Sequence, residues 1–301
     1  MGVGKKKHEA VNSFAAARGT IIIRPVRNLG VPLEKSMLND ALLEFPCHAC
    51  GQRAQLHHMG EVPPTHPGPF HTERFELVHC PVCDVVYLDP APTPQDLRVL
   101  YEESVQFADN HYTEPDRVAQ IMEYYGNAVR QLGLLPESGG RVLEVGAGYA
   151  WVSRACKEQN PAVVTVAQDV SAECATVCPW VDHYHVGTVD TLDRTESFQL
   201  ASMTHVIEHL VDPSEMLQEI ASRLAPGGKL FVTAPFRPIG WQPEQGIAPW
   251  RDYSYLHVPA HVTYFSRAWF EREAPRHGLE VARWDASHEQ GQAFELLLAK
   301  R

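Results

Sequence analysis

Two Cys-x-x-Cys pairs, Cys47/Cys50 and Cys80/Cys83, are the strongest chemical signal in the chain. Each spacing sets two sulfurs on one tight turn, and two such turns supply the four thiolates of a tetrahedral zinc site. Between the pairs lie 29 residues, rich in histidine, which must form a hairpin or extended loop. Those histidines could compete as ligands, but four thiolates already saturate a structural site. The seven cysteines are an odd number, and no apolar leader segment precedes them. The expected compartment is the cytoplasm, where such pairs read as metal ligands rather than disulfides. Free thiols or redox pairs are the alternatives. Cys156, Cys174 and Cys178 read as packing residues.

A second cluster sits in "THVIEHLVDP": His205, Glu208 and His209, with His261 later in "HVPAHVTYF". In a helical turn, positions 205, 208 and 209 share a face. Three roles fit these groups. Glu208 and His209 could pair structurally. His209 or His261 could act as a general base toward a hydroxyl. All four could hold a second divalent metal.

The third signal is "RVLEVGAGYAW", residues 141–151, a β-branched run entering a Gly-Ala-Gly turn. A dinucleotide turn has a third glycine where this chain has Trp151, and no Gly-Lys-Ser/Thr follows to make a phosphate loop. Glu144, two residues before the turn, would repel a diphosphate and attract a cation. S-adenosylmethionine (SAM) carries a sulfonium and an ammonium and no phosphate. Asp169 ends the next strand and can accept hydrogen bonds from two ribose hydroxyls.

These groups need a scaffold. From residue 141 strand and helix patterns alternate, which implies a doubly wound, mostly parallel α/β sheet. "AWVSRACKEQ", "DPSEMLQEIASRLA" and "SRAWFEREAPRHG" read as helices, and "SAECATVC" as the start of a short one. Asp212 before Pro213 is an N-cap arrangement, and Pro226-Gly227-Gly228 a stop. "LEVARWDAS" and "AFELLLAK" suit a terminal antiparallel pair. The expected organisation is a tail over 1–40, a zinc-binding module over 41–92, a helical linker over 93–138 and a ligand-binding domain over 139–301.

"VLEVGAG", "VAQDVS", "THVIEHLVDPSEMLQEIASRLAPGGKLFVTAPF" and "HVTYFSRAWFEREAPRHGLEV" resemble class I SAM-dependent methyltransferases, most closely the bacterial group with "EHL" after the fourth strand and "PGG" before the fifth. The resemblance implies a Rossmann-like seven-stranded sheet with its last strand antiparallel. It implies cofactor contacts at Glu144, Gly146, Ala147, Gly148 and His205, and ribose contact at Asp169. Adenine recognition falls to the segment holding Thr188 and Asp190. The paired cysteines followed by "VVYLDPAPTPQDLRVLYEES" are similar to a zinc module ahead of some bacterial methyltransferases, including ones that act on deoxysugars. The His/Glu cluster is similar to the metal-binding E-x-x-E-H of ubiquinone-pathway and small-RNA 2′-O-methyltransferases. His205 replaces the first glutamate, which favours zinc, manganese or iron over magnesium.

The implied activity is in-line methyl transfer to a small-molecule hydroxyl or carbon acceptor, such as a sugar, natural product or metabolite. An RNA 2′-O-methyltransferase and a non-catalytic scaffold binding a protein through the zinc module are the other readings. The net charge of −11 and pI ≈ 5.8 argue against strong sequence-independent nucleic-acid binding. No apolar run is long enough to span a membrane. The insertion at 235–259, with Trp241, Trp250, Tyr253 and Tyr255, either walls the acceptor or packs the loop. Arg237 and Arg251 in it either meet an anion or sit in solvent.

Overall fold

The first cysteine pair is carried on a short ribbon, β1 (Phe45–Pro46) against β2 (Arg53–Ala54). The second is carried between the strands of an antiparallel meander, β3 (His57–Val62), β4 (Phe75–Cys80) and β5 (Val85–Asp89). Two helices follow, α1 (Pro94–Glu103) and α2 (Pro115–Gln131). The remainder runs β6 (Arg141–Val145), α3 (Trp151–Gln159), β7 (Val164–Asp169), β8 (His183–Val186), β9 (Phe198–Thr204), α4 (Pro213–Arg223), β10 (Leu224–Pro235), β11 (Thr263–Tyr264), α5 (Arg267–Glu273), β12 (Leu279–Asp285) and β13 (Ala293–Lys300). The structure is a computed structural model and describes residues 44–65, 70, 73–103, 114–136, 139–287 and 292–301. The expected tail over 1–40 lies outside the described residues.

Seven strands form one sheet in the order β12-β13-β10-β9-β6-β7-β8. β8, β7, β6, β9 and β10 pair in parallel, and β13 runs antiparallel to both β10 and β12. The central strands are buried on both faces, as parallel strands under helices must be. Val142 faces α2 and α3, packing with Val129, Val152 and Cys156, while Leu143 packs into the core on the other side. Strand alternation therefore aims Glu144 at α3. The helix starts follow the sequence: Asp212 accepts the Glu215 N–H at 2.9 Å, and Ser266 the Trp269 N–H at 3.2 Å.

Two local expectations change. The "SAECATVC" segment forms successive tight turns, such as Ala175 N–H to Ala172 O, and not a helix. Helix α4 ends at Arg223, ahead of Pro226-Gly227-Gly228, which forms an irregular stretch within β10. There the chain passes so close to its neighbours that a Cβ on Gly228 would sit 2.8 Å from Ala225 O and 3.0 Å from Phe198 O. Helix α2, within the segment expected as a helical linker, lies against α3.

The meander is completed from far along the chain. β11 pairs with β5, Thr263 opposite Tyr87 and Tyr264 opposite Val86, making a four-stranded sheet β11-β5-β4-β3. Cys47, Cys80 and Cys83 share one hydrophobic core with Phe265, Trp269 and the seven-stranded sheet. No helix among the described residues is long and apolar enough to cross a membrane.

Candidate functional site

The glycine turn sits at the ends of β6 and β7. Gly146 has φ +59° and Gly148 φ +47°, the left-handed region that glycine enters at little cost. A Cβ on Gly146 would lie 2.5 Å from Val206 Cγ2, so the residue after His205 closes over this turn. Beside Gly148 there is open space within 4 Å. Ala147, the residue between them, donates its N–H to Gln168 O at 2.9 Å.

Glu144 is buried, and its position revises the expected electrostatics. Its carboxylate accepts the N–H groups of Val152 at 3.2 Å and Ser153 at 2.7 Å, in the first turn of α3. Burial pushes its pKa up to about 7, against the pull of those two donors. The carboxylate thus lies beneath the turn rather than beside a ligand above it. The helix N-terminal donors that would bind phosphate are bonded to Glu144.

Asp169 is half-buried and secures the other side. Its oxygens accept from Gly148 N at 2.9 Å and Ser171 N at 2.9 Å. An ionised carboxylate has about four acceptor positions, so capacity for hydroxyl donors remains. Gln168, which the sequence reading passed over, clamps two turns at once. Its Oε1 faces Gly146 N at 3.4 Å and its Nε2 donates to Gly187 O at 2.5 Å. An amide directly before Asp169, in a strand otherwise of Val, Thr and Ala, was the available signal. Asp190 lies half-buried on a 3-10 turn, Val189–Thr191, beyond Gly187, and Thr188 is exposed.

The His/Glu cluster follows β9 on a 3-10 turn, Ile207–His209. Glu208 is fully buried, and neither carboxylate oxygen has a hydrogen-bond partner. Around its Oε1 stand His205 Nδ1 at 3.5 Å and His209 Nε2 at 3.8 Å, too far for the expected Glu208–His209 hydrogen bond. Burial works to raise the Glu208 pKa, but His205 and then His209 beside it outweigh that and hold the carboxyl at about 2. His209 Nδ1 meets Ala260 O at 2.8 Å and His261 Nδ1 meets Tyr255 O at 2.8 Å. A carbonyl only accepts, so both rings carry Nδ1–H, which leaves Nε2 as the ring atom available to a ligand. Burial, together with His209, keeps His261 neutral, well below the usual imidazole pKa. Ligand atoms of Glu208, His209 and His261 all lie within 4.8 Å of one another. A buried carboxylate without a donor beside two oriented imidazoles fits a divalent cation. His205, at φ +55°, stands at the rim and stacks on Tyr255 with ring centroids 6.1 Å apart.

The four cysteines converge as expected: Cys47, Cys50, Cys80 and Cys83 place their sulfurs within 4.8 Å of one another. Cys47 Sγ and Cys83 Sγ are 3.9 Å apart. Zn–S bonds of about 2.3 Å in a tetrahedron require sulfurs roughly 3.8 Å apart. Proton sharing with Cys80 and burial push the Cys47 thiol up to about 12, and Cys80 is held down by its thiol neighbours. Four crowded sulfurs cannot all ionise without a cation between them, so the set fits a metal.

The insertion divides. Trp241 and Trp250 are buried in a core with Phe75, Leu77 and Tyr264, so they pack the loop and do not wall a substrate. Tyr253 is buried with them and donates to Gln292 O at 2.7 Å. Tyr255 alone of the four aromatics stays half-buried, against His205. Arg237 bonds both carboxylate oxygens of Asp84 at 3.1 Å, fastening the insertion to the residue after Cys83. Arg251 is exposed.

A family model described as a methyltransferase domain matches residues 116–283, more than half of the chain. The chain belongs to this methyltransferase family. Ubiquinone biosynthesis O-methyltransferase of Xanthomonas axonopodis pv. citri is 33% identical over 110 residues, covering 33% of this chain and 44% of that protein. The chain thus spans about half the length, or less, of the first curated relatives it matches. The Parvibaculum lavamentivorans protein of the same name is 25% identical over 178 residues, covering 51% and 69%. The solved structure of the cyclase SpnF, at 15% identity, superposes with a TM-score of 0.51 over 70% of this chain and 97% of that one. That likeness shows the fold, a Rossmann-like methyltransferase sheet, and not an activity. The matched residues start within α2, so the family region includes that helix, the glycine turn and the His/Glu cluster.

Proposed function

We propose that this protein is a SAM-dependent O-methyltransferase acting on a hydroxyl-bearing small molecule, with a divalent metal at Glu208, His209 and His261 and a structural zinc at the four cysteines. The observation that carries the reading is the contact of Val206 with Gly146. It sets the His/Glu cluster against the turn that would hold the cofactor, and relatives named O-methyltransferases support the acceptor class. Gly146, Ala147 and Gly148 would hold the cofactor backbone-close, Asp169 its ribose, and Asp190 its adenine side. Bound there, SAM supplies a methyl group already activated on sulfonium.

The protein's own share is alignment and proton control. His209 and His261 are fixed by Ala260 O and Tyr255 O, so their Nε2 atoms are aimed before any ligand arrives. The His205–Tyr255 pair offers a flat wall for a planar acceptor. A metal at Glu208, His209 and His261 would supply Lewis acidity toward the acceptor oxygen.

Calorimetry with SAM, followed by mass spectrometry of a hydroxylated-acceptor panel, tests the reading. Expected are SAM binding at the glycine turn and a 14-Da gain on oxygen in at least one acceptor, the mass of an added CH₂ unit. No SAM binding by intact protein would refute it. A salt-dependent shift with RNA and transfer only to RNA would replace the small molecule with a nucleic acid.

A further inference from the structure

We propose that the four-cysteine cluster is the positioning element for His261, acting through β5 and Ser266. The inference rests on the two-site reading above but concerns how the second site is assembled.

The connection is a chain of backbone contacts. Cys83 is followed after one residue by β5, and β5 pairs with β11, which begins two residues after His261. Leu88 N–H donates to Val262 O at 3.0 Å, and Val262 N–H donates to Glu208 O at 2.7 Å. Val262 is therefore gripped on one side by the cysteine-bearing sheet and on the other by the residue that presents the buried carboxylate. Its neighbour His261 takes its place between the two.

Ser266 is the second tie. It is buried, and its hydroxyl donates to Cys83 O at 2.6 Å while accepting Trp269 N–H at 3.2 Å. Trp269 Nε1 in turn donates to Ala49 O at 2.8 Å, inside the first cysteine turn. Both cysteine turns thus hold the segment that leaves His261. A strand of two residues has little stability alone, so β11 depends on its partner. If the cysteine turns relax, β5 and Ser266 lose their anchor, and the imidazole moves off the Glu208 axis. Ligand geometry tolerates little such drift.

The test uses the full chain, zinc-loaded, as wild type, Ser266→Ala and Ser266→Thr. Cobalt titration reads the nitrogen/oxygen site by its weak visible bands, separate from the strong thiolate bands. Hydrogen exchange reads peptides covering 258–266 and 141–145. Ser266→Ala is expected to keep its zinc, weaken cobalt binding at Glu208/His209/His261 by about 10–100-fold, and expose 258–266 to exchange. Threonine, which keeps the hydroxyl, restores both. Stripping the zinc with a chelator is expected to open 258–266 while 141–145 stays protected.

Unchanged protection of 258–266 after zinc removal, or uniform exchange across both peptides, would overturn the proposal. So would an alanine variant that matches wild type in cobalt affinity and exchange. Should the wild type take no cobalt at the nitrogen/oxygen site, the metal reading fails, and the exchange data alone still decide the positioning role.

Discussion

Glu144 reaches beneath the glycine turn to Ser153 and accepts its backbone N–H at 2.7 Å. The acid is buried, and burial raises its pKa from 4.5 to about 7. A carboxyl whose folded pKa is raised favours the folded state most in its protonated form. Its contribution is complete below pH 4.5 and lost as pH rises through 7. The cost at alkaline pH is on the order of 3 kcal/mol. Glu144→Gln keeps one acceptor oxygen for the Val152 and Ser153 N–H groups, losing one of the two bonds, and removes the titration. Unfolding free energy measured from pH 5 to 8 is expected to fall in the wild type and stay flatter in the variant. Equal slopes would reject this account.

Gly146→Ala meets two obstacles, the Val206 side chain at 2.5 Å and a φ of +59°. The backbone part alone costs roughly 1–2 kcal/mol. The melting temperature and SAM affinity are both expected to drop. Adding Val206→Ala relieves the clash but not the backbone, so recovery is partial. Full recovery would mean that the left-handed conformation is not required.

Glu208→Gln keeps the shape of the side chain and removes the charge that the imidazoles surround. The turnover with a hydroxyl acceptor is expected to fall by on the order of 10²-fold, with the second metal equivalent lost and SAM affinity retained. Elemental analysis and calorimetry separate these effects. Retained metal with lost turnover would assign Glu208 a role other than ligand.

Trp250 and Tyr255 distinguish packing from recognition. Trp250 is fully buried, so Trp250→Ala is expected to cost about 3–5 kcal/mol in stability. Tyr255→Ala is expected to raise the acceptor KM with little change in the unfolding midpoint or in SAM affinity. A stable Trp250→Ala enzyme with a raised acceptor KM would reverse the assignment.

Several of these relationships were legible in the residue order. The Gly-Ala-Gly turn, the Asp212 cap and the two cysteine spacings each follow from local chemistry, and each stands where local chemistry put it. Glu144 was harder. Two positions of sequence place it beside the turn, but strand alternation sends its side chain under α3, and only the packed sheet shows that. Trp241 and Trp250 read equally as an acceptor wall or as loop packing until the meander that covers them is assembled. The β11–β5 pairing joins segments so distant in the chain that no periodicity reports it. Nor does any motif mark the bond that Ser266, at the start of α5, makes to Cys83 O, because that carbonyl is brought to it only by the fold.

Because β13 lies between β10 and β12, and β11 belongs to a sheet whose other strands are β3, β4 and β5, an expression fragment cut to the matched stretch 116–283 would be an unsound object. It would leave two strands flanking an open slot lined by apolar side chains, and a third with no neighbour. Exposed strand edges of that kind recruit other chains. Excision would thus yield an aggregating remnant, and the portion before residue 116 cannot be swapped for another as a detachable cassette without rebuilding the segment around His261.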